Sequence, residues 1–185
     1  LPGVMIAEPF RSVPARLRFG HHSRRLSVTG LPRDAYLNQL LDDKERVIDL
    51  PPNGLLVSAK LAEVLGAKVG DRIILEVQEG RRPTLEATIQ GTITDYAGVF
   101  AYMEIDTLNR LTGEGAVVSA AALFVEPSAL AALARRFKQL PVIESVAVKS
   151  YTLSSFLEKI AGLVLVSAGI LTGFAVIVAV GVVYN

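Results

Sequence analysis

The chain has 185 residues, with nineteen basic against eighteen acidic side chains, and a net charge of +1 gives no sign of a nucleic-acid partner. An apolar fraction of 51% and a mean hydropathy of +0.42 are high for a water-soluble domain, and the excess is local. The absence of Cys excludes a disulfide framework, thiol chemistry and a Cys-based metal site, and it fits a bacterial periplasm or exterior. The length suits one ordinary domain plus one spanning segment. The chain opens Leu1-Pro2-Gly3, without Met or a secretory signal, and closes at Asn185 just after an apolar run. It therefore reads as a piece of something longer.

In chain order, Val13, Ala15, Leu17 and Phe19 alternate with Arg16 and Arg18, the period-2 pattern of a half-buried strand. Gly20-His21-His22-Ser23 comes next as a turn, Leu26 and Val28 resume the alternation, and the whole predicts a hairpin. Ser58 stands where an N-cap belongs, ahead of a short helix from Ala59 to Leu65 closed by Gly66. Val69-Gly70-Asp71 is a turn feeding a strand from Arg72 to Val77. The stretch from Thr84 to Thr94 alternates, with Leu85, Ala87, Ile89 and Ile93 expected on one face. A short helix is expected from Glu104 to Leu111, ending at Gly113.

The last third predicts a β-α-β unit. Ala120 to Val125 is a strand, and Pro127 opens a helix as a first-turn proline can. Leu130, Leu133, Ala134 and Phe137 mark the core face of that helix, Pro141 stops it, and Val142 to Val148 is a further strand. The expected fold is α+β, a mixed sheet with β-α-β units over residues 1–150.

From Ile160 to Val183 runs IAGLVLVSAGILTGFAVIVAVGVV, free of charge. At 1.5 Å rise per residue, about 20 such residues cross the hydrocarbon core of a bilayer. The competing explanation is a central helix of a soluble protein, but a chain this short has too little else to wrap such a helix on all sides. Placed on a helix, Gly162, Gly169 and Gly173 form one stripe, with Ala161, Ala168, Thr172, Ala175 and Ala179 beside it. Leu163, Ile170, Leu171, Phe174, Ile177 and Val178 lie opposite. Small residues on one side admit a second helix at close range, and Gly169-x-x-x-Gly173 is the minimal form of that pattern. Residues 151–159 contain no Pro or Gly, so they are expected to extend the span outward and to couple it to the domain through Phe156 and Leu157.

Motifs that would carry catalysis are missing. No G-x-x-x-x-G-K-[ST] loop exists to hold ATP, and Gly113-Glu114-Gly115 lacks the third Gly of a dinucleotide fingerprint. No Ser lies in a G-x-S-x-G turn. His21 and His22 are adjacent in an extended chain, where neighbours point opposite ways, so they make a poor shared metal site. Asp42 and Asp43 lie in a polar stretch with Lys44, Glu45 and Arg46 and read as solvated. The chain is therefore expected to be no enzyme and to hold no cofactor or metal. The charge distribution is uneven, since Arg11, Arg16, Arg18, Arg24, Arg25 and Arg33 face only Glu8 among acids in the first 33 residues. A solvated sheet face explains this, and so does contact with anionic lipid near the membrane.

Several segments, taken in order, resemble the FtsX-like permeases, the MacB/FtsX/LolC-type permeases of ABC transporters. They are Gly3-Val4 through Glu8-Pro9-Phe10-Arg11, with Val13-Pro14-Ala15-Arg16-Leu17-Arg18, and then Leu56-Val57-Ser58-x-x-Leu61-Ala62 with Leu65-Gly66 and Val69-Gly70-Asp71. The third is Phe174-Ala175 to Gly181-Val182-Val183-Tyr184-Asn185. The resemblance implies an extracytoplasmic core domain over residues 1–150 and a connecting helix start over 151–159. A transmembrane helix over 160–183 would come after it, in a bacterial inner membrane. It further implies a permease that works as a dimer with a second copy or homologue, driven by a separate ATPase subunit. Such a permease relays ATP-driven motion to extracytoplasmic substrates or partner proteins. The resemblance carries over no ligand residues. The alternative is a membrane-anchored sensor or binding module without transport. A tail-anchored surface enzyme is a third reading, weakened by the missing catalytic motifs.

Overall fold

The computed structural model describes residues 1–94, 98–141 and 143–148. The expected connecting segment 151–159 and the expected span 160–183 lie outside the described residues. Among the described residues, no helix is long and apolar enough to cross a membrane. Contacts divide the chain into two units, one over Leu1–Ala129 and one from Leu130 onward.

The first unit is built on two long strands, β1 (Val4–Phe19) and β2 (His22–Leu31). They form the expected antiparallel hairpin, in register from Phe19 opposite His22 to Arg11 opposite Gly30. Next in the chain are β3 (Leu55–Ser58), α1 (Ala59–Leu65), β4 (Arg72–Val77) and β5 (Thr84–Ile93), then β6 (Ala101–Glu104), α2 (Ile105–Thr112) and β7 (Ala120–Val125). Six strands pair in the order β2-β6-β3-β5-β4-β1, and the β1–β2 ladder joins the two ends of that series. The sheet is mixed as expected, with β2–β6 and β3–β5 parallel. Its closure into a ring is not foreshadowed by the strand pattern. A closed ring leaves no open edge among its members, which removes unpaired backbone groups without a second sheet.

The ring encloses the main core. Val13, Ala15, Leu17, Leu55, Val57, Ile73, Leu75, Ile89 and Met103 point inward and are almost fully buried. Fully burying such a side chain contributes about 1.5–3 kcal/mol. The helix α1 plugs this core with Leu61, Ala62 and Leu65. Its ends are those read from the sequence: Ser58 Oγ accepts from Leu61 N at 3.2 Å, and Gly66 closes it at φ 68°. Ser58 Oγ also accepts from Phe100 N at 3.1 Å, so the cap ties α1 to the approach to β6. The turn after α1 is held by Asp71, whose Oδ2 accepts from Lys68 N at 2.7 Å.

Two expectations need correction here. Ile93 does not share a face with Ala87 and Ile89, because two residues of β5 oppose one step of β3 between Leu55–Ile89 and Leu56–Gly91. This bulge inverts the alternation, and Ile93 joins a second cluster with Leu31, Leu50 and Leu56 outside the ring. The β-α-β unit also fails to form among the described residues. β7 pairs antiparallel with the first half of β1, Val4 to Phe10, while residues 143–148 carry no regular secondary structure. Apolar spacing marks a face, but a strand exists only where a ladder is available; Val142 itself lies outside the described residues.

The helix α3 (Pro127–Lys138) forms as expected, opened by Pro127. Leu133 is buried, while Leu130, Ala134 and Phe137 are half-buried on the same side. Arg135, Arg136 and Lys138 sit in its last turn, where positive charge suits the carbonyl end of a helix.

Gly30 sets the distance between β2 and α2. A Cβ there would lie 2.9 Å from Leu108 Cδ2 and 3.2 Å from the Ile105 backbone. Gly30→Val is therefore expected to destabilise the fold by about 1–3 kcal/mol, read as a lowered urea midpoint of the protein in detergent. An unchanged midpoint would show that α2 moves freely.

Candidate functional site

The features that stand out lie where β1 changes partners. Through Phe10 the strand pairs with β7, and from Arg11 it pairs with β2. Two charged side chains near this crossing, Glu8 and Arg11, are 6% and 1% exposed. Burying a charge is costly unless it is paired or hydrogen-bonded; Arg11 is both, and Glu8 is hydrogen-bonded.

Glu8 receives the chain that connects β2 to β3. Its Oε2 accepts from Tyr36 N at 2.6 Å and Leu37 N at 2.8 Å. Its Oε1 accepts from Asn38 N at 3.1 Å and Asn38 Nδ2 at 2.8 Å. Burial pushes the carboxyl pKa up, but the Leu37 N–H, the Asn38 amide and the Tyr36 and Asn38 N–H groups outweigh it and hold it below the ordinary value. Four donors converging on one carboxylate favour its charged form.

The segment fixed in this way continues into a small hairpin. Ile48 N donates to Leu40 O at 2.8 Å, and Leu41 bridges Val47. Asp42 organises its tip, accepting from Lys44 N and Arg46 N and pairing with the Arg46 guanidinium. Of the two carboxylates expected to be solvated, Asp43 is exposed, whereas the Asp42 side chain is only 11% exposed because the turn folds around it. Leu40 and Ile48 face the second apolar cluster, whereas Tyr36, Leu41 and Val47 are 67%, 46% and 57% exposed. Beside this hairpin an open groove of about 680 Å³ is floored by Ile48, Leu50 and Leu56 and edged by Arg33, Asp49 and Gln90.

Arg11 reaches in the other direction. Its Nη1 donates to Asn109 Oδ1 and to Thr112 Oγ1, the latter at 3.0 Å, and its Nη2 pairs with Glu114. Glu79 lies 3.8 Å from the same nitrogen. Arg11 thus binds β1 to the end of α2, to the loop after it and to the β4–β5 turn. Its Nε has no partner among the described residues.

The sequence pattern puts Arg11 in a membrane-proximal basic set with Arg16, Arg18, Arg24 and Arg25. Burial removes it from that set, because it lies in phase with Val13, Ala15 and Leu17 and so points to the core side. Arg16 and Arg18 are on the outer face and share Glu76 at 3.6 and 3.3 Å. Arg24 and Arg25 are exposed on β2. The hairpin turn is shorter than expected, Gly20-His21, and His22 already opens β2 opposite Phe19. The two imidazoles do not point opposite ways, their ring centroids lying 4.0 Å apart, and His22 Nδ1 is 3.3 Å from Leu65 O. The expected coupling residues Phe156 and Leu157 and the helix-packing residues Gly162, Ala168, Gly169, Gly173 and Ala175 lie outside the described residues.

Sequence reasoning missed Glu8 as a structural centre. A carboxylate in a strand gives no sign of the distant N–H groups it will meet, and three of its four donors are backbone. Arg11 did carry a sign, its core-side phase in β1.

No family model matches the chain, and no curated protein matches it. Among solved structures, the chain is similar to the extracellular domain of the noncanonic ABC-type transporter YknZ from Gram-positive bacteria. Identity is 15% and the TM-score 0.49, over 71% of this chain and 71% of that one. A likeness at that level bears on neither family nor activity.

The buried charges give two expected outcomes. The depressed Glu8 pKa adds stability that is complete above the unfolded value, about 4.3. That stability is lost as pH falls through the folded value. Glu8→Gln is expected to flatten this acid limb in unfolding curves recorded from neutral to acid pH, while lowering stability at neutral pH. An acid limb identical to that of the unchanged protein would show that Glu8 does not act this way. Truncating one partner of a buried pair is expected to cost about 3–5 kcal/mol, so Arg11→Met should destabilise strongly. A cycle with Glu114→Gln should show coupling above about 0.5 kcal/mol, whereas additive effects would mean that the pair contributes nothing of its own.

Proposed function

We propose that this chain is the extracytoplasmic domain of an FtsX-like ABC-transporter permease, together with the membrane helix that comes after it. In this reading Ile160 to Val183 lies in a bacterial cell membrane and residues 1–150 lie outside it. A separate ATPase subunit hydrolyses ATP in the cytoplasm. The permease, paired with a second copy or a homologue, turns that hydrolysis into export or a mechanical signal on the outer side. The chain itself is not an enzyme in this reading and holds no cofactor.

The observation that carries the reading is the uncharged run from Ile160 to Val183, long enough for a bilayer core and separated from the described fold by a short connection without Gly or Pro. The absence of a phosphate-binding loop supports a division of labour with a separate ATPase. The ordered set of segments resembling FtsX-like permeases gives the family. Gly162, Gly169 and Gly173, flanked by Ala168 and Ala175, would form the side on which another membrane helix packs. Phe156 and Leu157 would join the span to the domain.

The reading is tested on the native protein. It should remain in membranes after a carbonate wash and should co-purify with ATPase activity that the isolated chain lacks. Inserting several Gly between Ser154 and Ser155 should then leave ATP hydrolysis intact while cutting the extracytoplasmic output in reconstituted membranes. Release by carbonate, or saturable ATP binding by the chain alone, would overturn it.

A further inference from the structure

The outer face of the β1–β2 hairpin carries more positive charge than the fold can use. The ladder places Arg16 directly opposite Arg25, with Arg18 two positions along on the same side. Like charges facing each other across a ladder repel. Glu76 is the carboxylate set against them, shared between Arg16 and Arg18 at 3.6 and 3.3 Å. Glu86, opposite Ile74 on the next strand, is the other acid turned outward nearby. Arg72, in phase with Glu76, is exposed at the start of β4, whereas Arg24, opposite Leu17, lies on the other side of the hairpin. Ser23 and Ser27 lie between the guanidinium groups on the outer side of β2 and are also exposed. The backbone beneath is held on both sides of β1 by β2 and β4, so the charges sit on a rigid surface.

We infer that this face docks on the phosphate headgroups of an anionic lipid bilayer. Guanidinium forks match phosphate oxygens in geometry, and Arg is more weakly hydrated than Lys. Anionic lipid attracts each basic residue held near it. The apolar run C-terminal to the fold makes a bilayer the occupant. Residues 149–159 span at most about 40 Å even when fully extended, so Val148 stays within that distance of the uncharged run beginning at Ile160. This step rests on the reading of that run as a membrane span. Arg11 and Arg24 drop out of this surface, which leaves Arg16, Arg18 and Arg25 on the outward side.

The chain has no Cys, so Ser27→Cys gives a single labelling site on this face. The intact labelled chain is placed in nanodiscs of phosphatidylcholine alone or mixed with phosphatidylglycerol, each doped with a lipid carrying a paramagnetic headgroup. The readout is paramagnetic relaxation of the label. Strong relaxation is expected in the phosphatidylglycerol discs, lost near 1 M salt, where the Debye length is about 3 Å. Arg18→Glu with Arg25→Glu should weaken it by about tenfold or more, and Arg18→Gln with Arg25→Gln by less, with circular dichroism unchanged. Equal relaxation in both lipids, no relaxation in either, or indifference to salt and charge reversal would overturn the proposal. An acidic protein as the true partner would give the second of these results. A chain that elutes apart from the discs would refute the membrane span instead. Sedimentation of that chain with phosphatidylglycerol vesicles then decides the docking surface, binding supporting it and absence of binding overturning it.

Discussion

Strand β1 is held by three ladders, and the change from one partner to the next occurs between Phe10 and Arg11. The β1–β2 pairing closes the ring, so the enclosed core exists only while that ladder holds. At the point of exchange the strand carries a buried guanidinium, and Arg11 finds its partners on α2, on the loop after α2 and on the β4–β5 turn. Gly30 stands opposite Arg11 and lets α2 lie close to β2, which brings Asn109 and Thr112 within reach of Arg11. The absent Cβ and the buried charge are therefore two parts of one arrangement.

Three residues earlier, Glu8 does for an irregular segment what Arg11 does for the helix. A connection of more than twenty residues between β2 and β3 has few backbone partners of its own. The carboxylate supplies a fixed set of acceptors, and Asp42 supplies another at the tip of the small hairpin. With the approach to the small hairpin and its tip fixed in this way, Leu40 and Ile48 pack inward while Tyr36, Leu41 and Val47 stay in solvent. Exposed apolar groups on a preorganised support cost little further ordering when something binds them. Both charged anchors lie on one strand.

The segment from Leu56 to Asp71 gave the sequence its likeness to the FtsX-like permeases, and the structure explains it without reference to activity. Ser58 caps α1, Leu61, Ala62 and Leu65 enter the ring, Gly66 takes the left-handed conformation, and Asp71 holds the turn into β4. Each of these residues closes the barrel or starts its next strand. The apolar run nearer the C-terminus carries the proposed membrane span, and the ordered resemblance carries the proposed family.

Local chemistry was legible in the amino-acid order. Caps, left-handed glycines and period-2 faces depend on residues within a few positions of one another, and Ser58, Gly66, Gly113 and the β1–β2 hairpin lie where that chemistry puts them. The uncharged stretch from Ile160 to Val183 is likewise a property of sequence alone. The tertiary structure decided ring closure, the antiparallel seat of β7 on β1, the side taken by Ile93 and the burial of Glu8 and Arg11. These depend on which distant segments meet: a bulge in β5 inverts a face without altering its residue pattern. A charge becomes tolerable inside only when donors or acceptors from elsewhere in the chain surround it.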